Sequence, residues 1–289
     1  MSYFKRVKTT VKTAIRNIVR GRKVISSIEI PVICDQLLSG KRAIVIGGTG
    51  GIGEAIVDRF LTCGAEVVAA GTNPEKLRCL ESRLGVDRPL RTIQLDLMNF
   101  VEYSNYLSKM ESLFDDNKPF DILVNAAGKM STLSFINENE REWDTVFDLN
   151  VKAPYFFSQV FARYLIKKGR KGHILNIGST SSLKPGWTAY GISKAAVKSM
   201  TLGIADDLAQ YGITVNCLAP GPVATEMLTD EAGNLANQRY KGKRFISPTE
   251  IANWAVYLTS SIGDMMLGDA VFVSAGSGSL DICKTHHFE

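Results

Sequence analysis

The sequence predicts an α/β fold, in which one doubly wound domain contains a seven-stranded parallel sheet and follows a basic N-terminal arm. Three observations support this prediction. Apolar strand-like runs recur along the chain without polar alternation, helical patterns separate them, and a glycine cluster follows the first run directly. Continuous apolar strands separated by helices are typical of a parallel sheet that is covered on both faces.

The predicted elements form one alternating series from residue 42 onward. Helices are expected at Glu54–Cys63 after the first strand and at Pro74–Leu84 after the second. The seven strands are expected at 43–48, 66–71, 92–97, 121–128, 173–179, 214–220 and 270–276. Because no linker interrupts the series, we assign residues 40–289 to a single domain and residues 1–39 to an arm and connector.

The arm is strongly basic. Residues 1–28 contain eight Lys or Arg residues and no acid, and since the whole chain carries +5, the rest carries −3. The body therefore gives no indication of nucleic-acid binding. Apolar residues of the arm recur at helical spacing, which leaves three alternatives: peripheral contact of residues 1–25 with an anionic membrane or acidic partner, a targeting peptide, or packing on the domain or an oligomer partner.

The remaining composition narrows the class of protein. Five scattered cysteines without a C-x-x-C pair indicate a reduced, cytoplasmic protein rather than a disulfide framework. No apolar run is long enough to span a bilayer. Of three histidines, only His173 lies in the body before the last strand, and it begins a strand, so we expect no metal site.

A glycine-rich turn follows the first strand. It comprises Gly47-Gly48-Thr49-Gly50-Gly51-Ile52-Gly53 and runs directly into a helix. Glycines at this place permit a tight turn and let the backbone approach a pyrophosphate, which then meets the positive end of the helix dipole. After the first strand of a parallel sheet, this pattern predicts a dinucleotide site.

A tyrosine and a lysine four residues apart mark a candidate catalytic helix. Tyr190 and Lys194 share one helix face, and Ser179 ends the preceding strand. A nearby ammonium favours the phenolate, so we expect the pKa of Tyr190 to fall from about 10 toward neutrality. Tyr164 and Lys168 repeat the spacing, but no strand-end serine precedes them, and they are interpreted as an ordinary helix end.

These motifs together resemble the short-chain dehydrogenase/reductase family, from about Leu38 to Gly278. The glycine motif of the family falls on residues 46–53, with Ile46 in place of the usual threonine. The Asn-Asn-Ala-Gly motif that supports the central sheet matches residues 125–128, and the Pro-Gly after the sixth strand matches residues 220–221. The resemblance implies a Rossmann fold and a homo-dimer or homo-tetramer.

The resemblance also implies the site residues. The catalytic set is Asn150, Ser179, Tyr190 and Lys194. The cofactor set is Gly47, Thr49, Gly51, Ile52, Gly53, Thr72, Asn73, Asp96, Leu97, Asn125, Ala126, Ala127, Tyr190, Lys194, Pro220, Gly221 and Val223. Ser179 and Tyr190 are two residues closer than the family spacing, so Ser181 and Ser182 remain rivals for the serine role. Asn150 would anchor a water that relays protons.

Cofactor choice depends on the end of the second strand. An acid there would bind a free 2′-hydroxyl and repel a 2′-phosphate. This chain has Gly71-Thr72-Asn73 instead, which favours NADP(H) and leaves NAD(H) possible. Asn73 has a second interpretation as a helix N-cap, because Pro74 and Glu75 follow it.

The expected reaction is hydride transfer between nicotinamide and a carbonyl or secondary alcohol, with Tyr190 as general acid or base. The segment Thr225–Arg244 is polar and is the expected substrate loop, which favours a small polar substrate: a sugar, a polyol or a carrier-bound oxoacyl group. Trp187 could wall this pocket or pack in the fold. The alternative is a non-catalytic dinucleotide-binding protein or a membrane-surface assembly protein on the same fold.

Overall fold

The computed structural model describes residues 36–131, 133–225 and 244–278 of the 289-residue chain. In this part of the chain, seven strands form one parallel sheet: β1 (Arg42–Ile46), β2 (Glu66–Gly71), β3 (Leu90–Gln94), β4 (Ile122–Asn125), β5 (Gly172–Ile177), β6 (Ile213–Pro220) and β7 (Ala270–Val273). The α-helices described are α1 (Gly51–Thr62), α2 (Pro74–Leu84), α3 (Tyr103–Glu111), α4 (Glu140–Phe147), α5 (Ala153–Lys167), α6 (Ala189–Ala209) and α7 (Pro248–Thr259). The predicted fold class is confirmed.

The sheet order is β3-β2-β1-β4-β5-β6-β7. Strands β2 and β3 are added on one side of β1, and the chain then returns so that β4 to β7 are added on its other side. Ile46 pairs with Ala70 on one neighbour and with Asn125 on the other. The loops that follow β1 and β4 therefore leave the sheet side by side and lead to helices on opposite faces. Such a switch point opens a crevice at the carboxyl ends of the strands.

The core has two layers because alternate residues of each strand face opposite sides of the sheet. Val45 packs in one cluster with Phe60 of α1 and Val256 of α7. Ile44 packs in the other cluster with Phe157 of α5. All five residues of β1 are buried, which explains why the strand reads as a continuous apolar run rather than an alternating one.

Charged groups close the sheet at the amino ends of the strands, away from the crevice. The Asp121 carboxylate accepts the Arg42 backbone N–H at 3.0 Å and pairs with Arg170 at 2.7 Å. The Arg42 side chain, 1% exposed, pairs with Glu66 and lies 3.8 Å from the ring centroid of Phe114. These contacts order the amino edge and explain the buried charges without a ligand.

The Tyr164–Lys168 pair is structural, as its place in the sequence indicated. Tyr164 Oη accepts the Phe120 backbone N–H at 3.0 Å, and burial raises the pKa of Tyr164 to about 12. Lys168 Nζ lies 3.4 Å from a carboxylate oxygen of Glu111. The pair fastens the end of α5 to neighbouring segments.

Element boundaries differ from the predicted ones mainly at the carboxyl ends of strands. β1 ends at Ile46, since Gly47 has a φ of +79° and turns the chain. β3 covers 90–94 rather than 92–97, β4 stops at Asn125 and β7 at Val273. Most of the residues beyond these ends are small or apolar and resemble strand residues in the sequence, although they lie outside the strands. α1 begins at Gly51, inside the glycine motif.

The predicted arm and most of the connector lie outside the described residues, as does most of the expected substrate loop, residues 226–243. The described chain joins the core before residue 40, because Leu38 is fully buried and donates its backbone N–H to Cys63 at 3.0 Å. In the described residues, no helix has the length and apolar character needed to cross a membrane.

Candidate active site

The glycine turn brings the backbone of β1 close to that of β4. A Cβ on Gly47 would lie 2.6 Å from the Ala127 backbone nitrogen, and a Cβ on Gly53 would lie 2.0 Å from the Gly47 carbonyl oxygen. Only glycine fits at these two positions. The N-cap of α1, Gly50, makes no side-chain capping hydrogen bond. The first N–H groups of α1 are therefore presented without a side-chain cap, as in helix termini that bind phosphates.

A cleft of about 370 Å³ opens at this turn. It extends over the carboxyl ends of the first four strands, where the sheet order predicts a crevice. Most of the predicted cofactor residues line it: Gly47, Thr49, Gly51, Ile52, Gly53, Thr72, Leu97, Ala126 and Ala127. Among the described lining residues none is charged. The cleft is thus a small-residue, backbone-rich surface of the kind that dinucleotide sites use.

Thr72 and Asn73, at the end of β2, have different roles. Thr72 lines the cleft. Asn73 caps α2, since its Oδ1 accepts the backbone N–H groups of Glu75 at 2.8 Å and Lys76 at 3.1 Å. The N-cap interpretation of Asn73 is therefore confirmed, and its side-chain oxygen is committed to the helix.

Asn125 fastens the sheet beneath the cleft. Its Nδ2 donates to Ser158 Oγ at 3.0 Å and to Asn176 Oδ1 at 2.9 Å, and Asn176 in turn donates to Thr201 at 3.0 Å. These side chains are buried and join β4 and β5 to α5 and α6. The side chain of Asn125 therefore serves the fold, and it fixes the position of Ala126, which does line the cleft.

Four further predicted cofactor residues are not part of the cleft lining: Asp96, Pro220, Gly221 and Val223. Asp96 accepts the Met98 N–H at 2.9 Å in the turn after β3. Pro220 ends β6, Gly221 donates to the Val273 carbonyl at 2.9 Å, and Val223 forms an isolated bridge with Ile246. Farther along this loop, Thr225 lines the cleft against Gly51, a position that the sequence analysis did not assign to the cofactor set.

Tyr190 and Lys194 lie in the first turns of α6, which begins after its N-cap Thr188. Lys194 Nζ is 5.8 Å from the centroid of the Tyr190 ring and donates to the Ile177 carbonyl at 2.9 Å. The Ser179 hydroxyl is close enough to the Tyr190 phenol to lower its pKa. The structure thus brings these three predicted residues together at the end of β5.

Asn150 faces the same place from a π-helical turn, Asp148–Lys152, between α4 and α5. An ideal Cβ on Gly128 would be 3.2 Å from Asn150 Oδ1 and 3.6 Å from Lys194 Nζ, so Gly128 lies between the two side chains. Gly128 also lines the cleft. The four predicted catalytic residues therefore converge beside the cleft. Single π-turns of this kind occur frequently at functional sites.

The amide of Asn150 is held by three hydrogen bonds. Its Oδ1 accepts the Lys129 N–H at 2.8 Å, and its Nδ2 donates to the Lys129 carbonyl at 2.9 Å and to Ser193 Oγ at 3.0 Å. Ser193 donates onward to the Tyr190 carbonyl at 2.8 Å. Ser193 and the Lys129 backbone were not among the residues predicted from the sequence, although Ser193 directly precedes Lys194.

The predicted pKa of Tyr190 was wrong in direction. Burial raises the pKa of Tyr190 above its ordinary value of 10.0, and the hydrogen bond from Ser179 lowers it by less. Burial also lowers the pKa of Lys194 to about 8. The Lys194 ammonium donates to the Ile177 carbonyl, and burial is the largest cause of the shift in both groups. Tyr190 is therefore a phenol at neutral pH, which is the form that donates a proton.

Of the three serines considered for the catalytic role, Ser179 is the one at the end of the strand, and Ser181 and Ser182 lie in the turn that follows. It follows β5 and caps the 3₁₀ helix Thr180–Leu183, and its Oγ accepts the Ser181 N–H at 3.1 Å. The Ser181 hydroxyl lies 3.2 Å from Ser179 Oγ. Ser182 instead donates to the Ser179 carbonyl at 2.8 Å.

His173 lies away from this site. It is the second residue of β5, at the amino edge of the sheet, where its Nδ1 is 2.7 Å from Thr214 Oγ1 and its Nε2 is 3.5 Å from an Asp264 oxygen. Burial lowers the pKa of His173 to about 4, so the ring is neutral at pH 7. Within the part of the chain that the structure describes, no three His, Cys, Asp or Glu side chains form a metal-binding group.

A parallel sheet with a glycine turn and an uncharged cleft at its carboxyl edge is the arrangement of a dinucleotide-binding fold, and the Ser-Tyr-Lys-Asn cluster lies beside this cleft. The family model described as short chain dehydrogenase matches residues 41–235. The chain belongs to this family, whose enzymes bind NAD(P), act on small molecules and typically oligomerise.

Two relatives that are named for an enzymatic activity are similar over most of the chain. Gluconate 5-dehydrogenase of Gluconobacter oxydans is 32% identical over 246 residues, which cover 83% of this chain and 95% of that protein. A 3-oxoacyl-[acyl-carrier-protein] reductase of Rickettsia bellii is 34% identical over 248 residues, which cover 83% of this chain and 97% of the reductase.

Solved structures show the same similarity. A gluconate 5-dehydrogenase from Burkholderia cenocepacia, in complex with NADP and tartrate, aligns with a TM-score of 0.75 at 28% identity and covers 84% of this chain and 97% of its own. A short-chain dehydrogenase/reductase from Serratia marcescens aligns with a TM-score of 0.75 at 29% identity, covering 84% of this chain and 99% of its own.

Proposed function

We propose that this protein is an NAD(P)-dependent oxidoreductase that transfers a hydride between nicotinamide and a carbonyl or secondary alcohol of a small polar substrate. The observation that carries the proposal is the convergence of Tyr190, Ser179, Lys194 and Asn150 beside an uncharged cleft. The intact cluster gives no support to a non-catalytic binding protein, because a protein that only binds the dinucleotide needs neither the phenol nor the serine.

The glycine turn fits the cofactor. Gly47 and Gly53 leave a cradle that a Cβ would fill, and the N-terminus of α1 presents backbone N–H groups for the pyrophosphate. We assign Thr49, Thr72 and Leu97 to the same cleft, with Asp96 toward the adenine. When bound, the nicotinamide gives a hydride to a carbonyl carbon or takes one from an alcohol carbon.

The side chains of this chain supply proton transfer and orientation. In carbonyl reduction, Tyr190 donates its phenolic proton to the substrate oxygen and Ser179 donates a hydrogen bond to the same atom. Lys194 contributes positive charge close to the phenol and holds ribose hydroxyls. The geometry supports this assignment because a buried phenol that is protonated at neutral pH is the correct form for a general acid.

Asn150 orders the site. Its amide fixes the Lys129 backbone and, through Ser193, the Tyr190 carbonyl, so that loop and catalytic helix keep one relative position. One lone pair of Asn150 Oδ1 remains after the Lys129 N–H bond. We assign that lone pair to a water that relays protons between Lys194 and bulk solvent.

We propose NADP(H) as the preferred cofactor and NAD(H) as a weaker alternative. No acid follows β2 at Thr72 and Asn73, so the chain does not repel a 2′-phosphate at that place. The Burkholderia relative was solved with NADP. Because Asn73 Oδ1 caps α2 and no arginine lines the described cleft, discrimination should be modest.

The proposed substrate is a sugar acid, another polyol or a carrier-bound oxoacyl group. The relatives include a gluconate 5-dehydrogenase and a 3-oxoacyl-[acyl-carrier-protein] reductase. The test is turnover by the purified full-length chain with NADPH and either 5-oxogluconate or a 3-oxoacyl thioester, and with NADP⁺ and gluconate in the reverse direction. Reduction of one of them supports the proposal, and turnover of no carbonyl or alcohol in a wider panel contradicts it.

Residues 1–25 are proposed to contact an anionic membrane surface or an acidic partner. The protein itself is proposed to be a cytoplasmic homo-dimer or homo-tetramer. The support for the contact is the charge of this segment, eight Lys or Arg between residues 1 and 28 without an acid. Such attachment is screened as the Debye length falls from ~10 Å at 0.1 M salt to ~3 Å at 1 M. Full-length protein should therefore leave anionic vesicles as salt rises, while a chain that begins at residue 36 should neither bind them nor lose turnover.

A further inference from the structure

Three hydroxyl groups follow one another from Tyr190 into the turn after β5. The Ser179 hydroxyl is close enough to the Tyr190 phenol to lower its pKa. Its Oγ lies 3.2 Å from Ser181 Oγ and accepts the Ser181 backbone N–H at 3.1 Å. The 3₁₀ helix Thr180–Leu183 bends the chain back so that Ser181 faces Ser179 through both its backbone and its side chain.

The hydrogen-bonding capacity of the Ser179 hydroxyl leaves room for a hydrogen bond with the Ser181 hydroxyl. A serine hydroxyl has one proton and two lone pairs, and the Ser181 N–H occupies one lone pair of Ser179 Oγ. In carbonyl reduction the Tyr190 proton goes to the substrate oxygen, and Ser179 directs its own proton to the same oxygen. In the structure, Ser179 Oγ donates to Ser181 Oγ at 3.2 Å. When the Ser179 proton turns to the substrate oxygen, this bond can reverse, because the Ser181 hydroxyl is then within reach to donate to the remaining lone pair of Ser179 Oγ.

We propose that Ser181 is a positioning residue of the active site: its hydroxyl donates to Ser179 Oγ and thereby directs the Ser179 proton to the substrate oxygen. This inference rests on the proposed function. A hydroxyl that accepts a hydrogen bond becomes a stronger donor, since neighbouring hydrogen bonds polarise one another. The benefit grows as negative charge develops on the substrate oxygen, so it belongs to the transition state and to kcat rather than to KM.

Ser182 is a matched control in the same turn. Its hydroxyl donates to the Ser179 carbonyl oxygen at 2.8 Å and not to Ser179 Oγ. Both serines are half-buried, and Ser182→Ala removes one hydroxyl hydrogen bond of the turn, as Ser181→Ala does. A general effect on the turn would therefore appear in both variants, whereas an effect on the Ser179 proton would appear in Ser181→Ala alone.

The experiment measures kcat and KM of Ser181→Ala, Ser181→Thr and Ser182→Ala with NADPH and a carbonyl compound that the wild type reduces. Removing a direct donor to an oxyanion costs about 10²–10³ in kcat, and since Ser181 acts one step removed, we expect a loss of ~10-fold for Ser181→Ala. KM should stay near the wild-type value. Ser181→Thr, which restores a hydroxyl, should recover most of kcat, and Ser182→Ala should match the wild type.

The pH profile supplies a second readout. The Ser179 hydrogen bond lowers the pKa of Tyr190, and a Ser179 that Ser181 polarises lowers it further. In alcohol oxidation, which needs the phenolate as base, Ser181→Ala should therefore require a higher pH to reach its maximal kcat. Wild-type kcat and pH profile in Ser181→Ala, or an equal loss in Ser182→Ala, would overturn the inference alone. A wild type that turns over no carbonyl or alcohol would overturn the proposed function as well.

Discussion

Asn150 and Lys129 hold each other through two reciprocal hydrogen bonds, in which the side-chain amide pairs with both backbone groups, at 2.8 and 2.9 Å. The pairing joins the turn after β4 to the π-helical turn before α5. A third bond, to Ser193 at 3.0 Å, extends it to the catalytic helix. Three segments of the site therefore depend on one buried amide.

Replacement of Asn150 should cost both stability and activity. Asn150→Ala leaves the Lys129 backbone groups without their partner, and such unsatisfied groups cost ~1–3 kcal/mol. We expect a lower urea midpoint and loss of most of kcat. Ser193→Ala, which removes only the third bond, should lower the midpoint by less. If Asn150→Ala unfolds like the wild type, the pairing contributes nothing to the fold.

Gly53 should be intolerant of alanine, unlike its neighbour Gly50. A Cβ on Gly53 would lie 2.0 Å from the Gly47 carbonyl oxygen, so the turn must open, and we expect NADPH binding to be lost in Gly53→Ala. A Cβ on Gly50 would lie 3.5 Å from the same oxygen, an ordinary contact, and its φ of −87° suits alanine. Fluorescence titration with NADPH compares the two variants; equal affinities would mean that the glycine turn does not hold the cofactor.

Cofactor preference should change with the residue at position 72. The wild type should bind NADPH more tightly than NADH by a modest factor. Thr72→Asp should reverse this preference, because a carboxylate repels a 2′-phosphate and accepts a hydrogen bond from a 2′-hydroxyl. Dissociation constants for both cofactors decide the point. A tenfold preference of the wild type for NADH would contradict the NADP assignment.

His173 should make stability fall in mild acid. Its pKa is about 4 in the folded protein and ordinarily 6.5. Between these values the unfolded chain binds more protons, so the free energy of unfolding decreases as pH falls through this window, by roughly 3 kcal/mol at pH 4 from this group. Above the upper value the loss is absent.

The matched variant is His173→Gln, which keeps a polar side chain opposite Thr214 but does not titrate. Urea unfolding at pH 7.5 and pH 4.5 should show a smaller difference between the two pH values in this variant than in the wild type. If the free energy of unfolding changes by the same amount between the two pH values in both proteins, the His173 ring is protonated or solvent-exposed in the folded protein.

The fold and much of the site could be predicted from the sequence because both depend on patterns formed by residues that are close together along the chain. Seven continuous apolar runs give the sheet, and the glycine turn and the Tyr190–Lys194 spacing give the ends of the cleft. The N-cap alternative for Asn73 was visible in the residues that follow it. Each of these features depends on neighbours within a few positions along the chain.

What the sequence could not give depends on contacts between distant segments. The pKa of Tyr190 is raised because the folded chain buries the phenol, and burial of this kind has no local mark in the sequence. The bonds of Asn150 to Lys129 and Ser193 join residues 21 and 43 positions away, and no local pattern marks the π-helical turn that presents the amide. Likewise, only the folded turn separates Ser181 from Ser182.

Turnover by Tyr190→Phe tests the central claim most directly, with Tyr164→Phe as the control. Tyr190→Phe removes the phenolic proton donor, so it should bind NADPH like the wild type while losing most of kcat. Tyr164→Phe removes a phenol at the same spacing from a lysine, and with it the hydrogen bond to the Phe120 backbone, so it should lose some stability and keep kcat. Undiminished kcat in a folded, NADPH-binding Tyr190→Phe protein would contradict the account.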